Sequence, residues 1–328
     1  MGVYMQKLLF SLSIISVGLI IGYIIQRLVL SGKIKAEKSL SRQRNFLQRI
    51  VLLAINPIAT VGAIWILSFD NVRIVLMPVI GALAILTGGF ASLLFAKVLK
   101  LKPKQAGAFF STGSMFNIGS IGALVVFIFL GEEAFGLVPM YTLFETMIYY
   151  IIWFPIAKSF SPTVLADSKN KKIIKVITDP FVLVALASIL LGVILNTSGL
   201  QRPAFYSTLN SIVIPLGSLL LLISIGMAMK FGKVKAFMKP AIVISCIKFL
   251  LVPFVATGAA YLLGFGKMDN GLPLKVIFIL SSMPVGFTAL VPPSIYNLDV
   301  DLANAAWLVS TALLIVVIPL QMLGITFM

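Results

Sequence analysis

The chain has 328 residues, 60% of them hydrophobic and 11% charged, with a formal net charge of +16 and a mean hydropathy of +1.10. Soluble domains are about half apolar and about a quarter charged, so this composition excludes an ordinary globular enzyme, a disordered chain and a coiled coil. The lone cysteine, Cys246, leaves no disulfide scaffold, and the lack of histidine removes the commonest metal ligand and general base. What remains is an all-α polytopic membrane protein.

A bilayer span needs about 20 apolar residues. Ten apolar segments follow one another, at roughly 8–31, 47–68, 74–98, 107–130, 136–157, 180–199, 208–229, 240–264, 274–296 and 303–326. The first is too long for a signal peptide and lacks a small-residue cleavage site, so it reads as a span. Basic residues alternate between connections. Arg27, Lys33, Lys35, Lys38, Arg42, Arg44 and Arg49 flank the first, Lys97 to Lys104 the third, Lys158 to Lys175 the fifth and Lys230 to Lys239 the seventh. The opposite side holds only Lys7, Arg73, Arg202, Lys267 and Lys275. Short basic loops stay in the cytoplasm. This predicts a multi-pass protein of the cytoplasmic (inner) membrane with both termini outside. The positive charge is then a topology signal with a secondary attraction to anionic lipid. The expected partner is the lipid bilayer and not nucleic acid.

The cytoplasmic connection 161–178 divides the chain into 1–160 and 179–328, five spans each. Halves with an odd number of spans face opposite ways, the architecture of inverted-repeat transporters. The helix breakers correspond between halves: Asn56-Pro57 in the second span and Pro215-Leu216-Gly217 in the seventh. The fourth span runs Ser114-Met115-Phe116-Asn117-Ile118-Gly119-Ser120-Ile121-Gly122. The ninth runs Ser282-Met283-Pro284-Val285-Gly286-Phe287, followed by Pro292-Pro293. Proline removes a backbone donor, glycine leaves helical geometry cheaply, and the freed groups cannot face lipid. Two broken helices meeting at the midplane would present two half-helix N-termini, which attract anions without a charged side chain. Asn117 adds an amide that both donates and accepts. Ser111, Thr112, Ser114, Ser120, Ser281, Ser282 and Thr288 add hydroxyls, most of them expected to bond back to their own helices.

Two ionisable residues lie well inside spans, where such groups are functional candidates. Glu145 and Lys248 sit at depths that differ by roughly 6 Å at about 1.5 Å of rise per residue, so they can pair if the fifth and eighth spans are neighbours. Otherwise Lys248 draws an anion into the cavity, or Glu145 carries a coupling proton. Asp299 and Asp301 read as solvated, and Trp65 and Trp153 as interface anchors. No nucleotide, cofactor, nucleophile or metal-ligand motif stands out. The expectation is therefore no enzyme, no cofactor and no metal.

The breakers, taken in order, resemble the auxin efflux carrier family, which includes plant PIN carriers and bacterial malate and malonate transporters. Met283-Pro284-Val285-Gly286, Tyr296-Asn297-Leu298-Asp299, Ser310-Thr311 and Pro319 look like the family's ninth and tenth spans. Lys248-Phe249 with Pro253 is similar to its eighth, Ile214-Pro215-Leu216 with Ile225-Gly226 to its seventh, and Asp179-Pro180 with Leu191-Gly192 to its sixth. Asn117-x-Gly119-x-x-Gly122 followed by Gly131-Glu132 is similar to its fourth, and Ile21-Gly22-Tyr23 fits the first. The family's fourth span usually has a proline two residues after the second glycine. Here that position is Leu124, so the break rests on Gly119 and Gly122.

The resemblance implies ten spans in two inverted five-helix repeats, with broken, crossing fourth and ninth helices. It also implies a scaffold and a transport subdomain, elevator-like movement, frequent homodimers and organic anions as substrates. It makes Asn117 and the Pro284 break substrate-site positions. With the flanking Ser114, Gly119, Gly122 and Gly286 these form the candidate site, and Glu145 and Lys248 are the coupling or charge candidates. The function expected is secondary, efflux-type transport of mono- or dicarboxylates. Its rivals are a sodium-coupled organic anion symporter of the bile-acid type and a non-transporting membrane receptor on the same fold.

Overall fold

The computed structural model describes residues 2–32, 37–68, 72–161 and 180–328. Lys33, Lys35, Lys169, Lys171, Lys172, Lys175, Asp179, the side chain of Lys38 and nearly all of the connection 161–178 lie outside the described residues. The described chain is helical, and its one extended pairing is an isolated antiparallel bridge between Phe116 and Val285. In a membrane such a chain satisfies its backbone within each helix.

The elements in chain order are α1 (Met5–Leu30), α2 (Leu40–Trp65), α3 (Arg73–Val98), α4 (Pro103–Ser114), α5 (Ile118–Leu130), α6 (Glu132–Ser159) and α7 (Pro180–Thr197). They continue with α8 (Phe205–Gly226), α9 (Lys235–Leu262), α10 (Leu272–Ser281), α11 (Val291–Ile295), α12 (Val300–Ala312) and α13 (Leu314–Thr326). Among the described residues, seven helices are long and apolar enough to cross a membrane. The pair α12 and α13, bent by 49°, makes an eighth if it is one span. The bend falls at Leu313, whose N–H still bonds to the Val309 carbonyl at 3.0 Å. Helix α2 starts earlier than hydropathy places it, because Glu37–Ile50 is an amphipathic helix running directly into the apolar run.

Among the described residues, four helices contain a widened π turn: Val51–Ile55, Ile118–Gly122, Tyr149–Trp153 and Ile247–Leu251. Three of them end two residues before a proline, namely Pro57, Pro155 and Pro253. The proline ring crowds the carbonyl four residues back and supplies no N–H, so the preceding turn opens. At the fourth, Ile118–Gly122, the same position is Leu124.

The helices sort into two compact units. The first comprises Met1–Phe69, Gly119–Pro139 and Asp179–Met229. In it α1 packs along α8, and α2 packs on α7 and α8. The Asn196 amide donates to the carbonyls of Ile64, Trp65 and Leu67 at 3.2, 2.9 and 2.8 Å, closing the C-terminal end of α2. The second unit comprises Asp70–Ile118, Met140–Thr178 and Lys230–Met328. In it α3 packs on α4 and α9, α9 on α10 and α12, and α12 on α4. Each unit draws on both sequence halves.

Trp153 is not the interface anchor its position suggests. It is fully buried, with Phe110 edge-on at 5.1 Å and Phe90 edge-on at 5.9 Å. Nearness to a segment end says nothing about which helix face a residue occupies. Asp299 is also more than a solvated loop residue, since its carboxylate accepts the Leu302 N–H at 3.0 Å and caps α12. Asp301 lies in the open and pairs with Lys233 at 2.8 Å.

Candidate functional site

The site grows from two interruptions within the second unit. Helix α4 ends at Ser114, Met115 turns extended (φ −110°, ψ 132°), and α5 begins at Ile118. Helix α10 ends at Ser281, the chain stays irregular to Gly286 (φ −69°, ψ 145°), and a 3-10 turn, Phe287–Leu290, leads into α11. The two breaks pair with each other. The Asn117 N–H donates to the Pro284 carbonyl at 2.9 Å, and the Gly286 N–H donates to the Met115 carbonyl at 3.0 Å. Between them the Phe116 N–H donates to the Tyr149 hydroxyl at 3.1 Å, and the Val285 N–H to the Ser310 hydroxyl at 3.1 Å. The breaks therefore answer the question every helix interruption raises, where its backbone donors go. Gly286 is required by the approach itself: a Cβ there would lie 2.5 Å from the Phe116 carbonyl oxygen and 2.8 Å from its carbon.

Lys248 is fully buried at this junction. Its Nζ donates to the Met115 carbonyl at 2.6 Å and lies 3.2 Å from the centroid of the Phe116 ring. Both contacts favour the charged ammonium. Glu145, half-buried, accepts a hydrogen bond from the Tyr149 hydroxyl and feels the charge of Lys248. The π turns in α6 and α9 contain Tyr149 and Lys248 respectively, so widened helix turns carry the two side chains that hold the first break.

Of the residues the sequence singled out, Asn117, Pro284, Gly286, Lys248 and Glu145 come together here. Ser114 sits at the end of α4, its hydroxyl donating back to the Ser111 carbonyl at 3.2 Å. Ser111, Thr112, Ser281 and Ser282 bond back to their own helices in the same way. Gly119 and Gly122 belong to the first unit; Gly119 is exposed with open space beside it, and Gly122 is buried in the π turn. The two half-helix N-termini expected from the sequence differ in length. Helix α5 is a full half-helix, whereas the segment after Gly286 is a 3-10 turn and the short α11 with its Pro292-Pro293 pair.

Sequence reasoning missed Tyr149, Ser310 and a second polar cluster, which lies wholly within the first unit. Gly131 (φ +92°) ends α5 in a conformation that favours glycine and so places Glu132 at the start of α6. The Glu132 carboxylate is gripped by both arms of Arg202 and by the Asn210 amide at 2.6 Å. Arg202 also donates to the Gly62 carbonyl at 3.0 Å, and Asn210 to the Ala59 carbonyl at 3.2 Å. In the sequence the Gly131-Glu132 pair carries part of the family resemblance and Arg202 marks sidedness, and no local pattern links the two.

Apolar helices of spanning length, with two interrupted helices paired break to break, suit a membrane transporter, since irregular backbone within a membrane is tolerated where it is buried or lines a cavity. A family profile described as a membrane transport protein matches residues 41–322, and the chain belongs to that family, the auxin efflux carriers. An uncharacterized transporter of Methanothermobacter thermautotrophicus is 25% identical over 307 residues, covering 92% of this chain and 93% of that protein. The protein is thus a multi-pass membrane transporter and not an enzyme.

Proposed function

We propose that this transporter is a secondary carrier of small organic anions, mono- or dicarboxylates, working by elevator-like alternating access. Its ten spans form two inverted repeats, 1–160 and 179–328, joined by the cytoplasmic connection 161–178. It sits in the cytoplasmic membrane with both termini outside and can associate as a homodimer. The observation that carries this reading is the pairing of Met115–Asn117 with Pro284–Gly286 beside the buried Lys248. The backbone N–H groups of Phe116, Asn117, Val285 and Gly286 are used to hold the breaks together. The attraction for an anion then comes from the Lys248 ammonium. Asn117 is buried beside the paired breaks and supplies the polar contact that orients a carboxylate.

The test is solid-supported-membrane current from proteoliposomes pulsed with malate, malonate and indole-3-acetate, with and without sodium. A sodium-independent current for one anion, abolished in Asn117→Ala while that variant still elutes as a folded species in detergent, supports the carrier. A current that requires sodium points to a symporter. Ligand binding without flux points to a receptor.

A further inference from the structure

The carrier reading leaves one group at the breaks without a task. Glu145 is a carboxyl at membrane depth, and burying a charge there is costly unless something uses it. On its own helix Glu145 faces Tyr141 and Tyr149, and from α9 the charge of Lys248. Helix α3, packed against its turn, has no ionisable residue between Arg73 and Lys97. Among the described residues, the cation whose charge reaches it is the one that holds the Met115 carbonyl.

From this cluster, and resting on the carrier reading, we infer that Glu145 is the proton site of the transporter and that the proton and the anion bind together. With Glu145 ionised, its charge offsets that of Lys248, and the breaks offer an anion little net attraction. With Glu145 protonated, the Lys248 charge is uncompensated and an anion can take the place of the carboxylate as its counter-charge. Each ligand then strengthens the other, and by linkage the effect is equal in both directions. Tyr149 is the positioning residue. Its hydroxyl accepts from the Phe116 N–H and donates to Glu145, so a change in the carboxyl's protonation reaches the first break through one hydrogen bond.

The test compares two kinds of flux in proteoliposomes holding the full chain, with a panel of mono- and dicarboxylates including malate and malonate. One is exchange of labelled for unlabelled anion without a gradient. The other is accumulation driven by an imposed proton gradient with the membrane potential clamped. For one proton per anion, a tenfold proton gradient should give about tenfold accumulation in the wild type. Glu145→Gln keeps the shape and the hydrogen bond from Tyr149 and should keep exchange while losing gradient-driven accumulation. Tyr149→Phe also strands the Phe116 N–H, so it should slow exchange and, beyond that, lower the ratio of gradient-driven accumulation to exchange below that of the wild type. Exchange in the variant also shows that it is folded. Wild-type exchange indifferent to the proton gradient, or full gradient-driven accumulation in Glu145→Gln, overturns the inference and leaves the carrier standing. No exchange of any anion by the wild type overturns the carrier reading and this inference with it.

Discussion

Two buried polar clusters in this protein handle charge in opposite ways. In the first unit, Glu132 is met by the whole guanidinium fork of Arg202 and by Asn210, so a full negative charge faces a full positive one across several hydrogen bonds. In the second unit, Lys248 is spent on a neutral carbonyl and the face of a ring, with its carboxylate counterpart held one tyrosine away. A charge that is fully paired fixes a structure. A charge held by dipoles keeps its field available to something that arrives later.

The difference can be broken from either side. The largest loss of stability should follow Arg202→Leu, which strands the Glu132 carboxylate. Removing one partner of a buried pair costs about 3 kcal/mol, and the detergent melting temperature should drop accordingly, with transport per folded molecule unchanged. Restoration of part of that loss by adding Glu132→Gln would show that the stranded charge caused it. Next comes Gly286→Ala, whose methyl would press on the Phe116 carbonyl. Overpacking of this kind costs about 1–3 kcal/mol, but here transport should be lost with it, because the two breaks must separate to make room. Unchanged flux in Gly286→Ala would show that the pairing of the breaks is incidental. The smallest effect belongs to Lys233→Ala. The hydrogen bond to the Asp301 carboxylate raises the Lys233 pKa above that of an ordinary lysine, yet the pair is open to solvent and exposed pairs contribute little. Melting temperature and flux should both stay where they are.

Much of this was legible in the residues. The positions of both breaks could be read because Asn117-x-Gly119 and Met283-Pro284 are poor helix formers inside apolar runs. That Glu145 and Lys248 can approach each other followed from counting along their spans. The pairing of the breaks was not legible from local pattern, because it is a contact between backbone groups far apart in sequence. For the same reason the expectation of two open helix ends overlooked how much of each break the other would satisfy. Tyr149 escaped because a tyrosine in an apolar run looks like core. The cue that could have found it is Pro155, six residues on, which opens the turn that begins at Tyr149.

That cue has an exception at Leu124. At the other three π turns the residue two positions beyond is a proline, which has no N–H to return to the ladder, so each turn is held in one register. Leu124 keeps its N–H and can give it to Gly119, which leaves the turn wide, or to Ser120, which closes it to a regular α turn. Of the four wide turns among the described residues, the one beside the break is thus the one whose register no proline pins.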